Sequence, residues 1–218
     1  MAPVDLLLAW PLPGARDLGA QLVASYAHPD RGYHDSRHLG EVLERVHELS
    51  AHQEQFDRMA VVLAAWFHDS VYDAQPDAEK RSAAWAAEAL PTLVPPACVE
   101  EVVRLVLVTE RHRPADDDAN GCALSDADLA ILAAPRERYD EYVAAVRREW
   151  AHLPDADFAA GRAAILRDLL AKPHLFQTSY AQQHWEAAAR ANVEAELVGL
   201  ERLGGSSGGA GAGVTSGA

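Results

Sequence analysis

Apolar residues recur along this chain at steps of three and four. Leu39, Val42, Leu43, Val46 and Leu49 make one such stripe, the spacing that gathers side chains on one face of an α-helix. The same period, interrupted by short polar or proline-bearing segments, predicts helices over about 15–27, 37–51, 54–72, 78–90, 96–111, 126–133, 136–151, 156–171 and 180–203. No segment reads convincingly as a strand, so the expected class is all-α.

Residues suited to helix starts support several of these boundaries. Asp35-Ser36 precedes the second helix, Asp77 the fourth, Pro95-Pro96 the fifth, Ser125 the sixth and Asp155 the eighth. The segment Val61–Phe67 is apolar all round for two turns before it meets His68-Asp69, which predicts a central helix. From Gly204 to Ala218 the chain is glycine, serine and alanine with one valine and one threonine. Such a composition cannot bury enough apolar surface to offset its conformational entropy, so 204–218 is expected to be a disordered tail behind one helical domain over 1–203.

Composition narrows the possibilities. With 218 residues, 49% of them hydrophobic, the chain can build one sizeable core. It has no apolar run long enough to span a bilayer, and its first residues lack the basic stretch and cleavage site of a signal peptide. A cytoplasmic protein with no membrane partner is the expectation. Cys98 and Cys122 are too few for a disulfide framework and form no Cys-x-x-Cys pair. A net charge of −14 repels polyanions and argues against a nucleic-acid polymer as partner. No glycine-rich phosphate loop, nucleophile elbow or dinucleotide fingerprint is present.

Three stretches carry candidate chemistry. In Arg31-Gly32-Tyr33-His34-Asp35-Ser36-Arg37-His38, His38 shares a helix face with Val42 and Val46. Its imidazole therefore points inward, where it must be hydrogen-bonded or ligate a metal. His68-Asp69 sits in the expected middle of an apolar helix, where a charge is costly unless paired or metal-bound. Taken alone, the pair reads first as a hydrogen bond that locks the core; the apolar lead-in and the upstream helical histidine turn the reading toward a metal site. Leu124-Ser125-Asp126-Ala127-Asp128-Leu129 offers two further carboxylates, although Ser125-x-x-Asp128 also has the form of a helix capping box. Neutral nitrogen together with anionic oxygen suits manganese, zinc, iron, nickel or cobalt better than calcium.

The order His38, then His68-Asp69, then a distant aspartate resembles the HD superfamily of metal-dependent phosphohydrolases. More narrowly it is similar to a bacterial branch of uncharacterised HD proteins marked by Arg-x-Tyr-His, Ala-Trp-Phe-His-Asp, a Ser-Ala helix after an acidic stretch and Asp-x-Asp-Leu. Those motifs run here from Arg31 to Leu132. Similar pieces lie at Tyr139–Trp150, at Gly161-Arg162 with Leu166, and at Ala189-Arg190-x-Asn192. The resemblance implies an HD-domain-like helical bundle with a divalent transition metal held by His38, His68, Asp69 and either Asp128, which the Ala-Asp-Leu context favours, or Asp126.

It further implies hydrolysis of a small phosphorylated substrate, nucleotides included, by a water that the metal acidifies. Asp69 belongs to that machinery. Asp73, one turn on, and Glu79 are candidates to orient the water, each with a surface role as alternative. His34, Arg37 and His112 are candidate substrate-binding residues, and His112 is also a candidate for a second metal. The chain departs from the pattern in two places: Ser70-Val71-Tyr72-Asp73 lacks the Gly-Lys or glutamate of some subfamilies, and Ala78 replaces an asparagine before Glu79. The alternatives are a two-metal, iron-using oxygenase and a ligand-binding protein with an idle His-Asp site. The other six histidines are expected at the surface and the five tryptophans in the core.

Overall fold

A computed structural model describes residues 6–52, 54–73 and 75–206. Among them are ten α-helices, short 3-10 turns and no strand. The helices are α1 (Arg16–Tyr26), α2 (Ser36–Ala51), α3 (Arg58–Phe67), α4 (Ala78–Ala89), α5 (Pro96–Val108), α6 (Ala119–Leu129), α7 (Arg136–Glu149), α8 (Asp155–Ala171), α9 (Ser179–His184) and α10 (Glu186–Ser206).

One contiguous core gathers residues from every part of the chain, from Leu6 and Trp10 to Ala189 and Val193. Its centre is α3, in which Ala60, Val61 and every residue from Leu63 to Phe67 are buried. The helix packs against α2, α4, α5 and α6, so the sequence that is apolar all round has apolar neighbours all round. Trp66 meets Trp10 edge-on at 5.0 Å, an arrangement that suits the opposite charges of ring edge and face. On the other side α8 packs along α10, and α10 against the 3-10 turn Ala130–Ala133.

Capping explains where the expected boundaries held and where they moved. Asp35 accepts the N–H groups of Arg37 and His38 at 2.8 and 3.1 Å and starts α2 as its residue type predicted. The helix expected over 54–72 is shorter at both ends. Asp57 accepts from Met59 and Ala60 and starts α3 there, and the helix gives way to a turn at His68. His68-Asp69 therefore stands at the end of the helix, not in its middle.

The sixth helix begins seven residues before its expected start, because Asp118 accepts from Gly121 N–H at 2.9 Å. Ser125 and Asp128 then lie inside α6, which rules out the capping-box alternative. The single helix expected over 180–203 is two, α9 and α10, parted at Trp185. Helix α10 continues through Ser206, three residues into the expected tail; the rest of that tail lies outside the described residues. Trp150 is 38% exposed, the one tryptophan that departs from the expected core placement.

Candidate metal centre

Helix α2 presents His38 on its buried face, between the packed rows of Leu39, Val42 and Val46. His68 caps the C-terminus of α3 and Asp69 follows in the turn. Both imidazoles are 1% exposed. Their Nε2 atoms are 3.1 Å apart, and Asp69 Oδ2 lies 3.1 Å from that of His68 and 3.4 Å from that of His38. Asp128, from the last turn of α6, brings Oδ1 to 3.2 Å from His38 Nε2 and 3.7 Å from His68 Nε2.

These spacings permit a test of whether the residues fit a metal. Around an ion with bonds of about 2.0–2.2 Å, neighbouring donor atoms sit about 3.0–3.6 Å apart in octahedral or tetrahedral arrangement. The distances among His38, His68 and Asp69, 3.1–3.4 Å, lie in that range, whereas Asp128 Oδ1 stands slightly beyond it from His68. His38, His68 and Asp69 form a group that could hold a metal ion. The tautomer of His68 also fits. Its Nδ1 lies 2.7 Å from the Ala65 carbonyl oxygen, which can only accept, so Nδ1 carries the hydrogen and Nε2 of the neutral ring offers a lone pair.

The electrostatics reflect the same crowding. Burial lowers the pKa of His38, but hydrogen bonds to Asp128 and Asp69 outweigh it and leave it raised to about 9. His68 is likewise pulled down by burial and pushed well above its ordinary value, chiefly by the Asp69 charge. Burial raises both carboxyls, yet the neighbouring His68 holds Asp69 and Asp128 well below the usual carboxylate range. In the metal-free protein, protons take the place that a cation would fill.

Asp126 and Asp128 are separated by the helical geometry. Residues two apart lie about 200° around a helix. Asp126 accordingly accepts Gln177 N–H at 2.8 and 3.0 Å and Thr178 N–H at 2.7 Å, closing the N-terminus of α9. Asp128, and not Asp126, reaches the imidazoles.

Asp73 is held at the surface by Arg81, with contacts of 2.6 and 2.8 Å, rather than turned toward the histidines. Glu79 stands in the first turn of α4, within electrostatic reach of the Tyr72 hydroxyl. Arg37 is exposed and spans Glu41 and Glu141.

His112 adopts the left-handed backbone with φ 48°, a strained conformation for a residue with a side chain. Its Nδ1 lies 3.3 Å from Ser125 Oγ and its Nε2 3.6 Å from Asp128 Oδ2. Burial lowers its pKa. The remaining histidines, 28, 47, 52, 152, 174 and 184, are exposed.

Two neighbours of the centre, Tyr26 and Glu149, are not singled out in the sequence, whereas Arg31 and His34 belong to its Arg-x-Tyr-His motif. The Tyr26 hydroxyl accepts the Asp69 N–H at 3.1 Å. Arg31 donates to the carbonyls of His34, Asp69 and Ser70 at 2.6, 2.8 and 3.2 Å, while its guanidinium lies over the Tyr26 ring. Glu149, at the end of α7, bonds to His34 Nδ1 at 2.8 Å, and the His34 ring stacks on Tyr72.

A cavity of about 650 Å³ adjoins the centre, with Tyr33, His38, Asp128, Ile131 and Arg138 in its wall. Comparison of the chain with protein-family models, with curated proteins and with solved structures returned no match.

Proposed function

We propose that this chain is a metal-dependent phosphohydrolase of the HD type, which cleaves a phosphomonoester or phosphoanhydride of a small molecule, with nucleotides in the candidate range. The observation that carries the reading is the meeting of His38 Nε2, His68 Nε2 and the Asp69 carboxylate at donor-to-donor distances of 3.1–3.4 Å. A manganese, zinc, iron, nickel or cobalt ion bound there would polarise a phosphoryl oxygen and acidify a water.

The chain's own residues supply the remainder. The His68 lone pair is aimed by the bond from Nδ1 to Ala65. Asp69 and Asp128 offset a divalent charge, and they are the members that meet solvent, at 14% and 12% exposure. A substrate therefore approaches over the carboxylates, with the buried imidazoles behind them. The adjoining cavity has room for a small molecule. Arg37 and Arg138 line it, but Glu41 and Glu141 already engage them, which disfavours polyanions. No helix among the described residues is long and apolar enough to cross a membrane, and a soluble, cytoplasmic setting is part of the proposal.

The test is metal content together with phosphate release. Wild type and Asp69→Ala are incubated with each of the five metals, freed of excess, analysed by elemental mass spectrometry and assayed on phosphorylated metabolites. Stoichiometric metal and metal-dependent release, both lost in Asp69→Ala, are expected. Metal without turnover of any phosphoryl compound overturns the enzyme reading in favour of a binding protein. The approach of His112 Nε2 to Asp128 Oδ2 favours one second reading, a two-metal oxygenase, which predicts two ions per chain and dioxygen consumption.

A further inference from the structure

The segment Arg31 to His34, between α1 and α2, is gripped from several sides. Glu149 Oε1 accepts the N–H groups of Gly32, Tyr33 and His34 at 3.0, 2.7 and 2.8 Å. Three successive amides converging on one oxygen make a cradle of the kind that binds anions, and here a side chain from α7 fills it. The other oxygen, Oε2, meets His34 Nδ1 at 2.8 Å and accepts from the Tyr72 hydroxyl at 3.3 Å.

Gly32 makes the approach possible, since a Cβ there would strike the Ala145 carbonyl oxygen and lie 2.6 Å from Glu149 Cγ. Arg31 bonds to the carbonyls of both His34 and Asp69 and so fixes this segment against the His68-Asp69 turn. The His34 ring is clamped as well, with Tyr72 stacked at 4.1 Å on its face and His38 edge-on at 5.5 Å between centroids.

A carboxylate can only accept, so the hydrogen on His34 sits at Nδ1 and Nε2 of the neutral ring is an acceptor. Nε2 has no hydrogen bond among the described residues, and the side chain is 24% exposed. A carboxylate that orients an imidazole and leaves its second nitrogen free is the arrangement by which hydrolases aim a nucleophile. Asp73, the carboxylate expected to do this, is instead bound by Arg81.

We propose that His34 Nε2 accepts a hydrogen bond from the water that attacks phosphorus, and that Glu149 is the positioning residue that fixes the tautomer and orientation of His34. This rests on the phosphohydrolase reading above.

Glu149→Gln keeps an oxygen for the three amides and removes the charge, so it loosens the hold on His34 while the segment retains its acceptor. In the metal-loaded enzyme, Glu149→Gln and His34→Gln should each lower kcat by about 10–100-fold with metal content and KM unchanged, and the double variant should lose no more than His34→Gln alone. Nitrogen-15 spectra of the zinc-loaded wild type should show His34 protonated at Nδ1, and Glu149→Gln should weaken that preference. Wild-type kcat in Glu149→Gln, independent losses that multiply in the double variant, or a wild-type His34 protonated at Nε2 overturns the inference while the phosphohydrolase reading stands. A metal-loaded wild type that turns over no phosphoryl compound overturns both.

Discussion

The Nε2 atoms of His38 and His68 stand 3.1 Å apart in the interior, one at the start of α2 and the other at the end of α3. Two neutral imidazoles presenting lone pairs at that distance repel each other, so a proton or a metal ion must lie between or beside them. The nearby Asp69 and Asp128 carboxylates suit either occupant, so a metal ion bound at the centre would compete with protons for it.

The metal-free protein should lose stability in alkali. With the pKa of His38 raised from 6.5 to about 9, the protonated ring contributes stability that is fully present below its unfolded value and is lost as pH rises through about 9, a few kcal/mol at most. The midpoint of thermal unfolding should fall between pH 7 and pH 10 for metal-free protein and stay nearly level for the loaded form. Zinc affinity measured by competition should rise with pH, with protons released on binding.

Asp126 and Asp128 should separate in experiment as they do on the helix. Asp128→Ala is expected to weaken metal binding and, because Asp128 helps to hold His38 protonated, to shrink the alkaline loss of stability of the metal-free protein. Asp126→Ala strips the acceptor from Gln177 and Thr178 and should cost about 1–3 kcal/mol of stability while metal content holds. Urea denaturation paired with elemental analysis of the two variants checks this, and the opposite pattern would return Asp126 to the centre.

Glu149 should leave an acid signature on folding. Burial raises its pKa, but His34 and the backbone amides outweigh that and leave it lowered. Its stabilisation is therefore present above the ordinary carboxylate range and fades as pH falls through it. The stability gap between wild type and Glu149→Gln, read from urea titrations, should be largest near pH 7 and close below about pH 4.

Gly32→Ala should be disruptive despite its small size. The added methyl meets a backbone carbonyl oxygen and the Glu149 stem, neither of which can yield freely, so a loss of about 1–3 kcal/mol is expected. Because α7 and the His34 segment must part to admit it, catalytic loss should exceed the loss in metal content.

The sequence made the helices and the central histidines legible because both depend on local pattern. The period of the α2 face placed His38 inward, and the apolar run before His68 marked α3 as central. The displaced boundaries had local causes that were open to misreading. Asp118, in the run Asp116-Asp117-Asp118, is the cap of α6, whereas Ser125 merely has a cap's residue type. Glu149 was out of reach for a different reason. It joins His34 across 115 residues, and in the sequence it is one more glutamate at the end of a charged helix. Asp73 misled because helical spacing was carried past Phe67, where α3 stops.

Viewed as a polymer, the centre ties the chain to itself at positions far apart. His38 and His68 are separated by 30 residues, and Asp128 follows after a second loop twice as long. Loop-closure entropy grows only logarithmically, so the longer loop costs about 0.6 kcal/mol more to close than the shorter. An ion gripped at all three positions would act as a removable crosslink through the middle of the chain. Its withdrawal would free both loops together, so chelation should accelerate unfolding of the whole bundle rather than loosen one corner of it.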